Sequence, residues 1–509
     1  MAVSSPICWD SFKSPWRCLC RSFWISRDRW KQKAKRLQKQ LDQQNSLLQA
    51  TRRELHQMQR LNEQLRREIQ CLSEQSTTTP IEHKNLPGHQ FSAAMICLCC
   101  QLSMIVGIRA VPKVIELVAA TFDLPLKVPS RDVVRSWICR NGVAILKEAT
   151  RQDDWIWMVD HSVQLGKMFV LVVLGIRQSE LPEDRPLRRE DMTVLAVLPT
   201  RTRDKEEVSK QLTGVSESLG MPIAVLSDAA AELHHGVASL QKAGFSGVHL
   251  DDIKHKIANL LKRRLQKDPR WKAFTSELGK TTAAIQQTEL DHLLPPRKKE
   301  KARFMDLGRL IDWARMVEHE LTRSESATHG RVVEKLGWIR EFPKELQLWS
   351  EYRLLMGEAL VMANAKGVFV GSSDQLAARL SEVGVKQPLA QEFGRQIVTF
   401  YRHNENQLAK LDQPSLRLPC STEILESGFG GFKARQGYHG RGTFTSLLAT
   451  FASEFDTCTP EKIRTRFARV GTKEVKAWLK QSGLTNSTQS RRTAAYARAN
   501  PRETLFSAA

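Results

Sequence analysis

Residues 27–76 carry apolar side chains at an unbroken 4,3,4,3 spacing: Trp30, Ala34, Leu37, Leu41, Leu48, Leu55, Met58, Leu65, Ile69 and Leu72. Gln44, Thr51 and Asn62 occupy three of the same seam positions, and no proline or glycine interrupts the run. A stripe recurring every 3.5 residues over about six repeats predicts a coiled coil, with the polar seam residues fixing its register. Most positions outside the seam are Arg, Lys, Gln or Glu, so the stripe needs a partner, and a second copy of the chain fits better than folding back. After Thr77-Thr78-Thr79-Pro80 the pattern changes. Residues 80–150 read as short helices joined at Gly107, Pro112 and Pro129, the last capped by Ser130 and carrying Arg131, Arg135 and Arg140. Either a helix-turn-helix or a plain packing module fits this stretch.

From 151 to 265 the periodicity switches to strands. Apolar runs at 155–160, 168–176, 192–198, 223–228 and 245–250 are separated by helical patterns at 204–219 and 236–242. Consecutive strands followed by strand–helix alternation predict a mixed sheet flanked by helices. Between 254 and 418 strand signals nearly vanish, and 307–321, 331–338, 346–363 and 375–383 have helical spacing. Beyond Gly471 the chain is rich in Ser, Thr, Arg and Ala, above all at 487–498, which predicts a mobile tail.

Charge narrows the partners. Lys and Arg number 77 against 55 Asp and Glu, a net +22 with pI near 9.7. The excess clusters at 27–67, 254–267 and 296–303, which favours a polyanion, nucleic acid ahead of a membrane surface. No apolar run approaches the roughly 18–20 residues of a membrane span, and the first residues lack a signal-peptide core. Among ten cysteines, Cys97, Cys99 and Cys100 sit in an apolar segment, while Cys18 and Cys20 lack a second pair at zinc-finger spacing. A reducing cytoplasm is expected.

Three acids stand at informative places. Asp160 ends the run Trp155-Ile156-Trp157-Met158-Val159, Asp228 ends the run at 223–228, and Glu426 lies 198 residues further on. Singly, such aspartates usually cap a helix or turn. Together they offer hard oxygen ligands at the carboxyl ends of strands, where sheets of this kind bind ligands. Glu423 precedes Glu426 by three residues and shares its helical face, so it rivals Glu426 as the third acid. Lys433 follows by seven on that same face. Gly428, Gly430 and Gly431 weaken the helix by about 1 kcal/mol each, so they allow close approach of DNA or mark an early end. Asp252 and His255, just after the fifth strand, fit either a capping aspartate with a surface histidine or a pair beside the acids. His161, His234 and His235 have no third ligand at a metal-binding spacing.

With these residues in hand, the chain resembles DDE-type transposases of bacterial insertion sequences. Its first Asp falls on the first strand, its second after the fourth, and its Glu on a helix beyond an insertion. Glu426, six intervening residues and Lys433 are similar to the signature of one large group. The signature's arginine would fall at Thr422 and its tyrosine at Pro419, where this chain departs from it. The resemblance implies an α/β ribonuclease H-like mixed sheet interrupted by an all-α insertion and preceded by a coiled coil and a helical domain. It divides the chain into an N-terminal segment (1–26), coiled coil (27–76), helical and possibly DNA-binding domain (80–150), core (151–265), insertion (266–418), final core helix (419–450) and tail (451–509). It further implies that Asp160, Asp228 and Glu426 hold two Mg²⁺ ions, or Mn²⁺. His255, Lys433 and Arg435 would contact DNA. The expected partners are transposon ends and target DNA, in a homodimer or larger assembly at the bacterial nucleoid. A catalytically silent DNA-binding scaffold and a nuclease that only hydrolyses are the alternatives.

Overall fold

The computed structural model describes residues 84–163, 168–182, 185–296, 307–322, 329–411, 413, 415–436 and 445–484, with isolated positions between 20 and 63 and between 495 and 498. The chain divides into two units, 1–83 and 84–509. In the first, seam residues Trp30, Ala34, Leu37, Leu41, Leu48, Leu55 and Met58 are all helical and all exposed, Trp30 at 64% and Met58 at 65%. Gln44, Thr51, Asn62, Leu65, Ile69 and Leu72 lie outside the described residues.

The second unit is built on a five-stranded mixed sheet. Strands β1 (Trp155–Val163), β2 (Phe169–Arg177) and β3 (Thr193–Thr200) run antiparallel, and β4 (Ala224–Ser227) and β5 (Val248–Asp251) run parallel to β1. The spatial order is β3-β2-β1-β4-β5, the ribonuclease H-like arrangement. Alternate side chains feed two cores, as the two-residue period of a strand requires. Trp155, Trp157, Val159, Leu171, Val173 and Val225 face helices α4 (Lys205–Leu219) and α5 (Ala231–Lys242). Ile156, Met158, Val170, Val172, Leu226 and Leu250 face the other way, toward α6 (Ile253–Leu265).

That second core does not stop at the sheet. It continues through α7 (Pro269–Ile285), α8 (Leu307–Thr322), α9 (His329–Leu336), α10 (Pro343–Lys366), α11 (Ser372–Glu382) and α12 (Pro388–Leu408). The long helical region is therefore packed onto the sheet. Asn404 of α12 is fully buried and brackets Asp251, its side chain bonding both the N–H and the C=O of that residue at 3.2 and 2.8 Å.

Ahead of the sheet lie α1 (Ala93–Ile105), α2 (Val111–Thr121) and α3 (Arg131–Leu146). After α13 (Glu423–Gln436) come a 3₁₀ segment (Ser446–Phe455), α14 (Pro460–Arg469) and α15 (Thr472–Gln481). These two ends of the unit pack together. Ile463 and Phe467 join Ile96, Ile115 and Ile138 in one core, and Arg466, 2% exposed, bonds Asp456 and Glu148 at 2.6–2.9 Å. A Cβ on Gly142 would stand 1.9 Å from the Ala449 carbonyl oxygen, so α3 meets the 3₁₀ segment backbone to backbone.

Of the two readings left open for the stretch before the sheet, α3 has the features of a packing helix: Arg140 bonds the Val470 and Phe467 carbonyls, Arg135 donates to Ser446, and the second half is buried on nearly every side. Two expectations change here. The boundary drawn at 450/451 falls inside the 3₁₀ segment. The tail expected to be mobile from Gly471 continues as α15, because Val475 buries against Cys139, Val143 and Ala449.

Candidate active site

β1 runs past Asp160 to Val163, so the apolar run ends before the strand does. What ends at that point is the parallel ladder with β4, whose last pair is Val159 and Ser227. The next residue on each segment is an acid: Asp160, still on β1, and Asp228, one past the end of β4. Asp228 Oδ1 accepts the Ala230 N–H at 2.8 Å, which fixes the carboxylate at the turn into α5.

Glu426 arrives in the first turn of α13. This helix packs against β1, its Leu425, Phe429 and Phe432 sharing a core with Ile156 and Met158. Asp160 has the same parity along β1 as those two residues, so the acid and the helix meet on one side of the sheet.

Asp252 holds the helix there. Its side chain is completely buried, caps α6 by accepting the His255 N–H at 2.8 Å, and accepts both the N–H and the hydroxyl of Thr422 at the start of α13. Burial works against its charge, but His255 and Thr422 outweigh burial and keep the carboxyl below the usual range. The capping and site readings of Asp252–His255 therefore hold together. His255 Nε2 lies 3.4 Å from Glu426 Oε1, and Lys254 Nζ lies 2.8 Å from Glu426 Oε2. Lys254 was not singled out in the sequence, because only the packing of α6 against α13 brings it to the acid.

The electrostatics tie the three acids to one place. Burial pushes Asp160 up to about 7, the Asp228 charge adds to the rise, and Glu426 contributes as well, while His255 and the His161 N–H oppose it. His255 rises to about 9: burial opposes its charge, but Asp252, Glu426 and Asp160 prevail. Glu423 shares Lys254 with Glu426, accepting from it at 3.3 Å, and accepts from Asn364 at 2.7 Å.

Lys433 is exposed two turns along α13, its Nζ 5.7 Å from the Phe429 ring. Arg435, expected at a DNA surface, is instead largely buried and pairs with Glu454 at 2.5 Å. The glycines of α13 do not end it. A Cβ on Gly428 would meet the Phe455 ring at 2.2 Å, and one on Gly431 would meet Glu454 at 2.7 Å, so the helix closes on the 3₁₀ segment. Beside its first turns a cleft is lined by Arg185, Arg188, Arg189, Lys366 and Arg417. Among the described residues no helix is long and apolar enough to cross a membrane.

No family model matches the chain, and no curated protein matches it. A solved structure, the Drosophila P element transposase strand transfer complex, is similar at 13% identity and a TM-score of 0.34, over 82% of this chain and 99% of that chain. The assignment of the site rests on its own geometry.

Proposed function

We propose that the protein is a transposase-like enzyme that cleaves DNA strands and joins them to a target, using Asp160, Asp228 and Glu426. The observation that supports this reading is that Asp228 and Glu426, the latter 266 residues from Asp160 in the chain, lie near enough to Asp160 at the edge of the mixed sheet for both charges to raise it. The donor set suits hard cations, since it consists of carboxylates, and burial together with the neighbouring acid charges raises Asp160 to about 7, a rise that a bound cation would oppose. Bound divalent metal, Mg²⁺ or Mn²⁺, would supply stabilisation of the attacking and leaving oxygens at phosphorus. Asp160, Asp228 and Glu426 would hold it. Lys254 and His255 balance the Glu426 charge and would be placed to face a phosphate oxygen. Exposed Lys433, with Lys262 and Arg263 on α6, Lys267 just beyond it, and the cleft beside α13 would provide cationic contacts for the duplex. The seam of 30–72, helical and exposed at its described positions, would pair two copies.

The test is a nicking and strand-transfer assay on DNA from either side of the protein's own gene, with a binding titration alongside. Asp160→Asn is expected to abolish cleavage in Mg²⁺ while leaving binding nearly intact and equally salt-sensitive. Lys433→Ala should weaken engagement of the DNA. Equal cleavage by the wild type and Asp160→Asn would remove this aspartate from the chemistry and leave a DNA-binding scaffold as the better reading.

A further inference from the structure

Around the corner from the carboxylates, on the face of the sheet that α5 covers, three side chains converge that the proposed chemistry does not use. His249 and Asp251 are two apart on β5 and so project from the same face. α5 brings His234 against them. One ligand atom from each of the three lies within 4.8 Å of the others. His234 Nε2 stands 2.7 Å from Asp251 Oδ1, and the two imidazole rings are 4.5 Å apart centre to centre. We propose that His234, His249 and Asp251 form a transition-metal site, distinct from the acidic triad and suited to Zn²⁺.

The donor chemistry makes the choice of ion. Two imidazoles and one carboxylate match zinc, whereas Mg²⁺ takes an all-oxygen shell. The spacing also fits. Tetrahedral zinc with bonds of about 2.0–2.1 Å sets its ligand atoms roughly 3.4 Å apart, within the range these atoms already span. A plain His234–Asp251 ion pair accounts for less. Oδ1 of Asp251 is buried and receives no well-aligned hydrogen bond, even though His234 is in ion-pair contact with it. The pair also leaves unexplained why a second imidazole is packed beside the first.

The supports for such ligands are in place. Ser227 Oγ lies 2.8 Å from His249 Nε2, leaving the other ring nitrogen for a metal. The two bonds from Asn404 fix the backbone of Asp251. Outer partners of this kind orient metal ligands before the ion binds. An ion here would staple α5 to β5, whose next residue is Asp252, the anchor of α13. Its role is to stiffen the frame, away from the reacting phosphate.

The experiment uses the full chain, stripped of metal and titrated with Zn²⁺ in excess Mg²⁺, reading metal content and thermal midpoint. One zinc per chain and a raised midpoint are expected for wild type and for Asp160→Asn. His234→Ala, at an exposed position, should remain folded by circular dichroism yet weaken zinc binding by about tenfold or more, the scale on which even outer partners act. His249→Ala should do the same. Absence of zinc binding would overturn the proposal. So would binding that survives both histidine substitutions, which would place the ion elsewhere, or binding lost in Asp160→Asn, which would place it on the triad. None of these readouts depends on DNA cleavage, so the zinc site and the nuclease reading fail separately.

Discussion

Buried charge at Asp160 is a cost that protonation, a neutral side chain or a bound cation would remove. The carboxyl shifts from 3.8 to about 7, so the folded protein holds this proton more tightly than the unfolded chain. Its favourable effect on stability is complete below about pH 4 and is lost as pH rises to about 7. His255, raised from 6.5 to about 9, acts in the same direction: its contribution is present below 6.5 and lost on the way to 9. Metal-free protein should therefore lose stability as pH climbs from 4 to 9. Thermal midpoints across that range should fall in the wild type. In Asp160→Asn the lower part of the fall should flatten, and the variant should exceed wild type at pH 8. The gain is at most roughly 4 kcal/mol, reduced by the solvent that reaches the sheet edge. A wild-type midpoint that rises with pH would show that these two groups do not dominate.

At the scale of elements, Gly428 in the first turns of α13 ties the position of Glu426 to packing. Gly428→Val would drive a side chain into the Phe455 ring and push the helix, with Glu426, off β1. We expect a loss of about 1–3 kcal/mol, the usual cost of overpacking, and a larger fractional loss of cleavage than of DNA binding. Gly430→Ala, facing open space, should be neutral or slightly stabilising in the same denaturation and nicking assays. The strands and their acids were legible because an apolar run ending in Asp is a local pattern, and β1, β2 and β4 lie where those runs predict. Less legible were features that depend on two distant segments. The boundaries of β3 and β5 shift by a few residues, since Phe245 belongs to the core beneath the sheet while Asp251 belongs to the strand. Arg435, which the resemblance placed at DNA, is claimed by Glu454, and Arg140, on a helix left open between DNA binding and packing, is claimed by the Val470 carbonyl. Lys254, Thr422, His249 and Asp251 carried no signal, because their partners arrive only through tertiary packing.

For the molecule as a whole, the open question of assembly sits in the first unit. Helical seam residues that are half exposed or more, such as Leu37, Leu41, Leu48 and Leu55, need a cover in water. Removing residues 30–72 should reduce the mass in solution to that of one chain, read by light scattering. An unchanged assembly would assign the contact to another surface.

The clasp at Arg466 has a consequence for synthesis. Its partner Glu148 lies 318 residues earlier in the chain. At about 5–20 residues per second, α3 waits roughly 15–60 s after leaving the ribosome for the helix that covers it. Glu426 is made within that same interval, long after both aspartates. A nascent chain therefore has two of the three acids, and none of these closing contacts, until the segment around Arg466 has been made. Such long-range closure folds slowly, so the three acids come together only late in synthesis.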